Sequence, residues 1–102
     1  MWAQVACEAL SAGKVLNLRY DGYDGYDRCV EVHAVGVTKE GHIVMSCWQV
    51  SGGSESDHPV GWKLLRLDKA TSAVISDQGS MAPRSGYNPP DRAMAGGVTC
   101  CL

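Results

Sequence analysis

No run in these 102 residues approaches the ~20 consecutive apolar positions of a membrane-spanning helix, and the N-terminus lacks the basic-then-apolar pattern of a secretory signal. The expectation is a soluble, cytoplasmic protein with no membrane partner. Charge of one sign is also missing: nine Lys and Arg stand against eleven Asp and Glu, for a formal net charge of −2. With no overall pull toward phosphate backbones, nonspecific duplex-DNA binding is disfavoured. Phosphate-cradling loops of the P-loop or G-x-G-x-x-G kind are absent. So are C-x-x-C and closely spaced His pairs, which removes the chelating half of a zinc site. No metal and no cofactor are expected. Five cysteines (Cys7, Cys29, Cys47, Cys100 and Cys101) make an odd count without framework spacing, so they read as reduced thiols, three of them in apolar runs where cysteine packs as a small hydrophobe.

What is present begins with 20-YDGYDGYD-27. Calcium loops of the EF-hand type need glycine at the sixth position and glutamate at the twelfth. Counted from Asp21 those places hold Tyr26 and Val32, so the repeat reads instead as an enlarged hairpin tip, with Asp-Gly supplying the turn. Around it the chain alternates. Residues 1–13 space Trp2, Val5, Ala9 and Leu10 at near-helical intervals before Gly13, which predicts a short helix. Strands rich in β-branched residues are predicted at 15–20, 29–37 and 42–50, with further strands at 62–67 and 72–76. The connections between them are short or polar, with Lys39-Glu40-Gly41 a tight turn and 51–61 a surface loop. Residues 78–97 carry prolines, glycines and polar side chains and predict an irregular tail wrapped over the rest.

The length allows one modest core, hence one domain over 1–102: a short helix (1–13), a β-barrel (14–77) and a wrapping tail (78–102). Five short strands in about 65 residues suit a small closed or nearly closed antiparallel barrel. The fold class is therefore all-β.

The order 18-LRY-20, 30-VEVH-33, a strand bearing Trp48, and 66-RLDK-69 resembles the WYL domain. It is more similar still to small stand-alone WYL-like proteins, whose pattern of RYDGY, VEPHAYG, YQVSGGS, GWKLFR and PRPGYN…DRAM is echoed here by RYDGY, VEVHAVG, WQVSGGS, GWKLLR and PRSGYN…DRAM. The echo spans residues 10–101. It departs from the pattern at Val32, Val35 and Leu65, and Cys47-Trp48-Gln49 replaces the name-giving tripeptide. The resemblance implies an Sm-like five-stranded barrel and a ligand-sensing role toward nucleotide-like molecules or nucleic acid. No helix-turn-helix accompanies it in this sequence.

Arg19, His33 and Arg66 fall within predicted strands, where a polar group must be satisfied. By the resemblance they line a polar pocket for an anionic or nucleotide-like ligand; the bland reading pairs them with Glu31 or Asp68. Trp48 and Trp62 lie on successive strands and either stack a base or fill the core. Cysteine catalysis has little support: Cys29 and His33 share a strand at roughly 13 Å separation, and nothing orients a third member beside Cys47 and His33. No catalytic residue is assigned, and the chain is expected not to be an enzyme. The resulting expectation is a ligand-sensing module that binds a small anionic or nucleotide-like ligand, or a short single-stranded nucleic acid, through Arg19, His33, Trp48 and Arg66. The alternative is a protein interaction or self-association module, which leaves a homo-oligomer open.

Overall fold

Trp2, Val5, Ala6, Ala9 and Leu10 share one side of α1 (Trp2–Ala12) in the computed structural model, which describes residues 2–20, 27–52, 60–87 and 93–102. Gly13 ends the helix in the left-handed region at φ 67°, where its amide donates to the Leu10 carbonyl and where a side chain would be strained. The Trp2 indole N–H, donating to the Ala70 carbonyl at 2.8 Å, ties the start of the helix to the far end of the sheet.

Five antiparallel strands follow, β1 (Lys14–Arg19), β2 (Asp27–Val37), β3 (Ile43–Gly52), β4 (Gly61–Arg66) and β5 (Ser72–Gly79); β1 to β4 form a meander and β5 crosses back to pair with β1. A 3₁₀ turn, Leu67–Lys69, carries the chain from β4 to β5. The strand order is β4-β3-β2-β1-β5, and a sixth strand, β6 (Gly97–Cys101), pairs with the end of β2. The molecule is mainly β with one short helix, as the alternation requires. The D-G-Y repeat at 21–26 and the loop residues 53–59 lie outside the described residues.

Two expectations are corrected here. The sheet has six strands and does not close into a five-stranded barrel: β4 and β5 end the order and are not paired with each other among the described residues. β2 is long enough, at 11 residues, to give the first part of one edge to β1 and the last part to β6, so the sheet grows sideways. The tail, in turn, is not wholly irregular. Residues 98–101 are too few for periodicity to reveal, but Gly36 allows the β6 backbone in: a Cβ there would lie 2.6 Å from both the Gly97 carbonyl oxygen and Met94 Sδ.

One face of the sheet packs Leu16, Leu18, Val30, Val32, Met45, Cys47 and Leu67 against Ala6 and Ala9 of α1. Each buried Leu contributes about 1.5–3 kcal/mol. The expectation of all-reduced thiols is also corrected, because Cys7 of α1 and Cys100 of β6 form a disulfide 93 residues apart in sequence. Spacing could not reveal it, since the two meet only once β6 has paired with β2. Cys29, Cys47 and Cys101 remain free.

Candidate functional site

The opposite face of the sheet is where polar and aromatic groups gather, and a β-bulge puts them there. Val32 pairs with Cys47 and Ala34 with Ser46, so His33 is an extra residue on β2. Before it, Val30 and Val32 face the helix-side core; after it, Val35 does. His33 thereby joins Glu31 on the tail face, while Cys47 stays with Val32 on the other. The thiol and imidazole that a cysteine mechanism would need are on opposite faces. Burial pushes the Cys47 thiol up to about 12, with Arg28 and Lys63 opposing it only in part.

Glu31 and His33 are buried polar residues, and the tail satisfies both. Arg84 donates Nε to Glu31 Oε1 at 2.6 Å and Nη2 to Oε2 at 3.2 Å, and the Met81 amide donates to Oε2 at 2.7 Å. Burial alone would raise the Glu31 pKa. The hydrogen bonds from Arg84 and Met81, with the Arg84 charge, outweigh it and hold the carboxyl below its usual range. The Arg84 backbone N–H donates to His33 Nε2 at 2.9 Å, and Nδ1 lies 2.9 Å from the Glu31 carbonyl oxygen. Nε2 must therefore be the bare acceptor and Nδ1 the N–H donor, which fixes a neutral ring and its tautomer. Burial lowers the His33 pKa, and the Arg84 charge adds to it against the pull of Glu31.

Aromatic rings extend this cluster outward. His33 meets the Trp62 ring edge-on, with centroids 4.7 Å apart at 71°, and Trp48 meets Trp62 at 5.4 Å and 88°. Tyr87 lies 5.2 Å from His33 and is inclined at only 27° to Trp62 at 6.3 Å. The Arg84 guanidinium sits 5.3 Å over Trp48. Gly86, at φ 90°, brings the tail against the Trp62 indole, where a Cβ would stand 3.4 Å from Nε1. Trp62 is 37% exposed and Leu64 beside it 55%. Between β4 and the tail opens a cleft of about 310 Å³ lined by Ser46, Trp62, Lys63, Leu64, Gly86 and Tyr87. A wider groove of about 920 Å³ runs between α1 and β6, with no aromatic or cationic side chain in its lining.

Of the four residues expected at a ligand site, two come together. His33 and Trp48 both back the Trp62 ring. Arg66 shares the Trp62 face of β4 but stands four residues along it, roughly 13 Å away. Its guanidinium makes a two-pronged contact with Asp68, Nε to Oδ1 at 2.9 Å and Nη2 to Oδ2 at 2.6 Å. Arg19 lies on β1 in a loose, exposed pair with Asp27 at 3.6 Å. Residue-type reasoning passes over Arg84 and leaves Tyr87 open between a binding surface and tail packing, although both fall in the PRSGYN stretch that carries the resemblance. No group of three or more His, Cys, Asp or Glu placed to hold a metal ion occurs among the described residues. No helix of the described residues is long and apolar enough to cross a membrane. Comparison with protein-family models, with curated proteins and with solved structures finds no match to this chain.

Proposed function

We propose that the chain is a non-enzymatic binding module, a stand-alone relative of the WYL domain on an opened Sm-like barrel, that takes a planar ring bearing an anionic group in the cleft between β4 and the tail. One observation carries this reading: Trp62 stands outward with its ring braced edge-on by Trp48 and His33, and Tyr87 lies nearly parallel to it across the cleft. A braced indole offers a flat face without losing side-chain entropy on binding. Lys63 lines the cleft from β4 while its charge acts on Cys47 across the sheet, so the anionic group of the ligand rests on what the WYL-like resemblance implies. A nucleotide-like ligand fits, and a short single-stranded nucleic acid would use the same stacking.

The support for a barrel relative is the strand order, a helix and then a four-strand meander whose β1 also pairs with the returning β5. Against catalysis stand the two groups that could have served it, since both His33 ring nitrogens are engaged and the Cys47 thiol is buried and unionised. A cytoplasmic location would carry with it a reduced Cys7–Cys100 pair, because cytosolic thiol systems keep such bridges open.

The test is binding of adenosine 3′,5′-cyclic monophosphate and of a short oligothymidine, read by tryptophan fluorescence and calorimetry. Trp62→Ala should weaken binding at least about fivefold, in line with the ~1–3 kcal/mol of a stacked base. Equal binding by the variant overturns the site. A second reading has its own observation, the exposed row of Val60, just before β4, with Trp62 and Leu64 on that strand, whose outer edge carries no strand among the described residues. Such an edge takes an extended segment of a partner or of a second copy. Association that rises with protein concentration and is lost in Leu64→Lys would favour it.

A further inference from the structure

His33 holds the tail by a hydrogen bond that only its neutral form can make. Its Nε2 accepts the backbone N–H of Arg84, its Nδ1–H is spent on the Glu31 carbonyl, and the residue is fully buried. A proton on Nε2 would place one N–H donor against another at 2.9 Å, with no water able to enter as acceptor. The donor that must yield is Arg84, because Nδ1 and the Glu31 carbonyl belong to the same strand. Arg84 is not held alone, since the Met81 amide and the Arg84 side chain bind Glu31 in the same stretch, and three residues later Tyr87 forms the wall of the cleft.

We propose that His33 is a proton-sensitive latch on the binding cleft: uptake of one solvent proton at Nε2 frees residues 80–87 from the sheet and takes the Tyr87 wall away from Trp62. The ligand-affinity part of this rests on the cleft being the binding site; the latch itself does not. The groups facing His33 are few. Its own strand presents the Glu31 carboxylate, which favours the proton, and the tail presents the Arg84 guanidinium, which opposes it. From the tail also comes the Tyr87 hydroxyl, donating to the His33 carbonyl at 3.5 Å, with Cys101 close to Tyr87. Among the described residues β4 presents the Trp62 ring, backed by Trp48 of β3, and Leu102 donates its backbone N–H to the His33 carbonyl. Glu31 is already engaged with three donors, so it cannot relieve a charged ring while the tail is closed. The closed state binds one proton fewer than the open state between the lowered His33 pKa and the ordinary value near 6.5. Acid therefore favours opening, and affinity falls by up to about tenfold per pH unit in that window.

The experiment follows His33 in the wild-type protein by long-range ¹⁵N–¹H spectra from pH 8 to pH 5, together with hydrogen-exchange protection of the Met81 and Arg84 amides corrected for intrinsic rates. Adenosine 3′,5′-cyclic monophosphate, whose charge is constant over that range, is the binding probe. Expected are the Nδ1–H tautomer at pH 8, protonation below 6.5, loss of amide protection with the same midpoint, and a falling probe affinity. His33→Gln keeps a donor and an acceptor but no titration, and should flatten both profiles. An Nε2–H tautomer, a ring neutral down to pH 5, or protonation with both amides still protected overturns the latch, and these wild-type readings decide even where the variant does not fold. Opening with pH but no probe binding at any pH keeps the latch and removes the cleft as binding site. Probe binding with a constant dissociation constant does the reverse.

Discussion

The carboxylate of Glu31 accepts three donors in a site where its side chain is 2% exposed, and Glu31→Gln exposes how much of the tail's attachment depends on it. The amide has one acceptor oxygen where the carboxylate had two. If that oxygen keeps the Met81 amide, the new NH₂ faces Arg84 Nε, previously 2.6 Å from an oxygen, and one of the two donors must turn away. A hydrogen bond to a charged group contributes about 1.5–3 kcal/mol, and losing one or two is offset in part by no longer burying a charge, so the closed tail should weaken by about 2 kcal/mol. These three donors all come from the tail, so the sheet and α1 should keep their stability. Loss should therefore appear as earlier proteolytic cleavage and faster amide exchange within residues 80–87, with β1 to β3 unchanged.

The same variant has a pH signature. Because the Glu31 pKa lies below its ordinary 4.5 in the closed state, the unfolded or opened chain binds more protons in acid. Its stabilisation is complete above about pH 4.5 and is lost as pH falls through the lowered native value. The wild type should accordingly exceed Glu31→Gln in tail protection at pH 7 and converge on it toward pH 3. Urea titrations with exchange readout at pH 7, 5 and 3 measure this directly. A constant difference across the three, or none at pH 7, would refute the idea that the ion pair fastens the tail.

Two further outcomes are expected. Reducing the Cys7–Cys100 bridge, or replacing Cys7 by Ser, should cost about 2–4 kcal/mol in denaturant midpoints, since a loop spanning 93 residues restricts the unfolded chain strongly; an unchanged midpoint on reduction would mean the pair is not bridged in solution. Alkylation of the native protein at pH 8 should modify exposed Cys101 first and buried Cys47, held near 12, only on unfolding, as peptide mass spectrometry would show; early labelling of Cys47 would contradict its burial in the core.

How much of this was legible in the sequence varies with the distance over which the physics acts. Gly13 after a helical run, Lys39-Glu40-Gly41 between alternating runs, and Asp68 two residues from Arg66 are local statements, and the structure has a helix end, a turn and an ion pair in those places. Non-local partners were not legible. Cys7 finds Cys100 and Glu31 finds Arg84 across 93 and 53 residues, and neither residue type announces its partner. β6 was invisible for a related reason. It is five residues long and mostly exposed, and it exists because β2 offers it an edge beside Gly36.

The part of the site that misled is 30-VEVHAVGV-37, and the reason is a single residue. Strict alternation puts Glu31, His33, Val35 and Val37 on one face, so that a polar pair appears to share its surface with two valines. Ala34, opposite Ser46 one register later than Val32 opposite Cys47, shows that His33 adds a residue to β2 and reverses the alternation beyond it. Val35 then returns to the helix-side core with Met45, and Ala34 goes to the tail face with Val44 and Met94. A bulge has no obligatory residue type, so nothing in the string marks it. Its effect is nonetheless what gathers the cluster. Without the extra residue the strand would set Val35 toward the tail and keep Ala34 on the α1 side, and the apolar seats for Met94 and for the helix would be exchanged. The tail that delivers Arg84 and Tyr87 to His33 is anchored beyond it by Met94, so the same register shift that turns the imidazole's neighbours over also fixes where the segment holding that imidazole comes to rest.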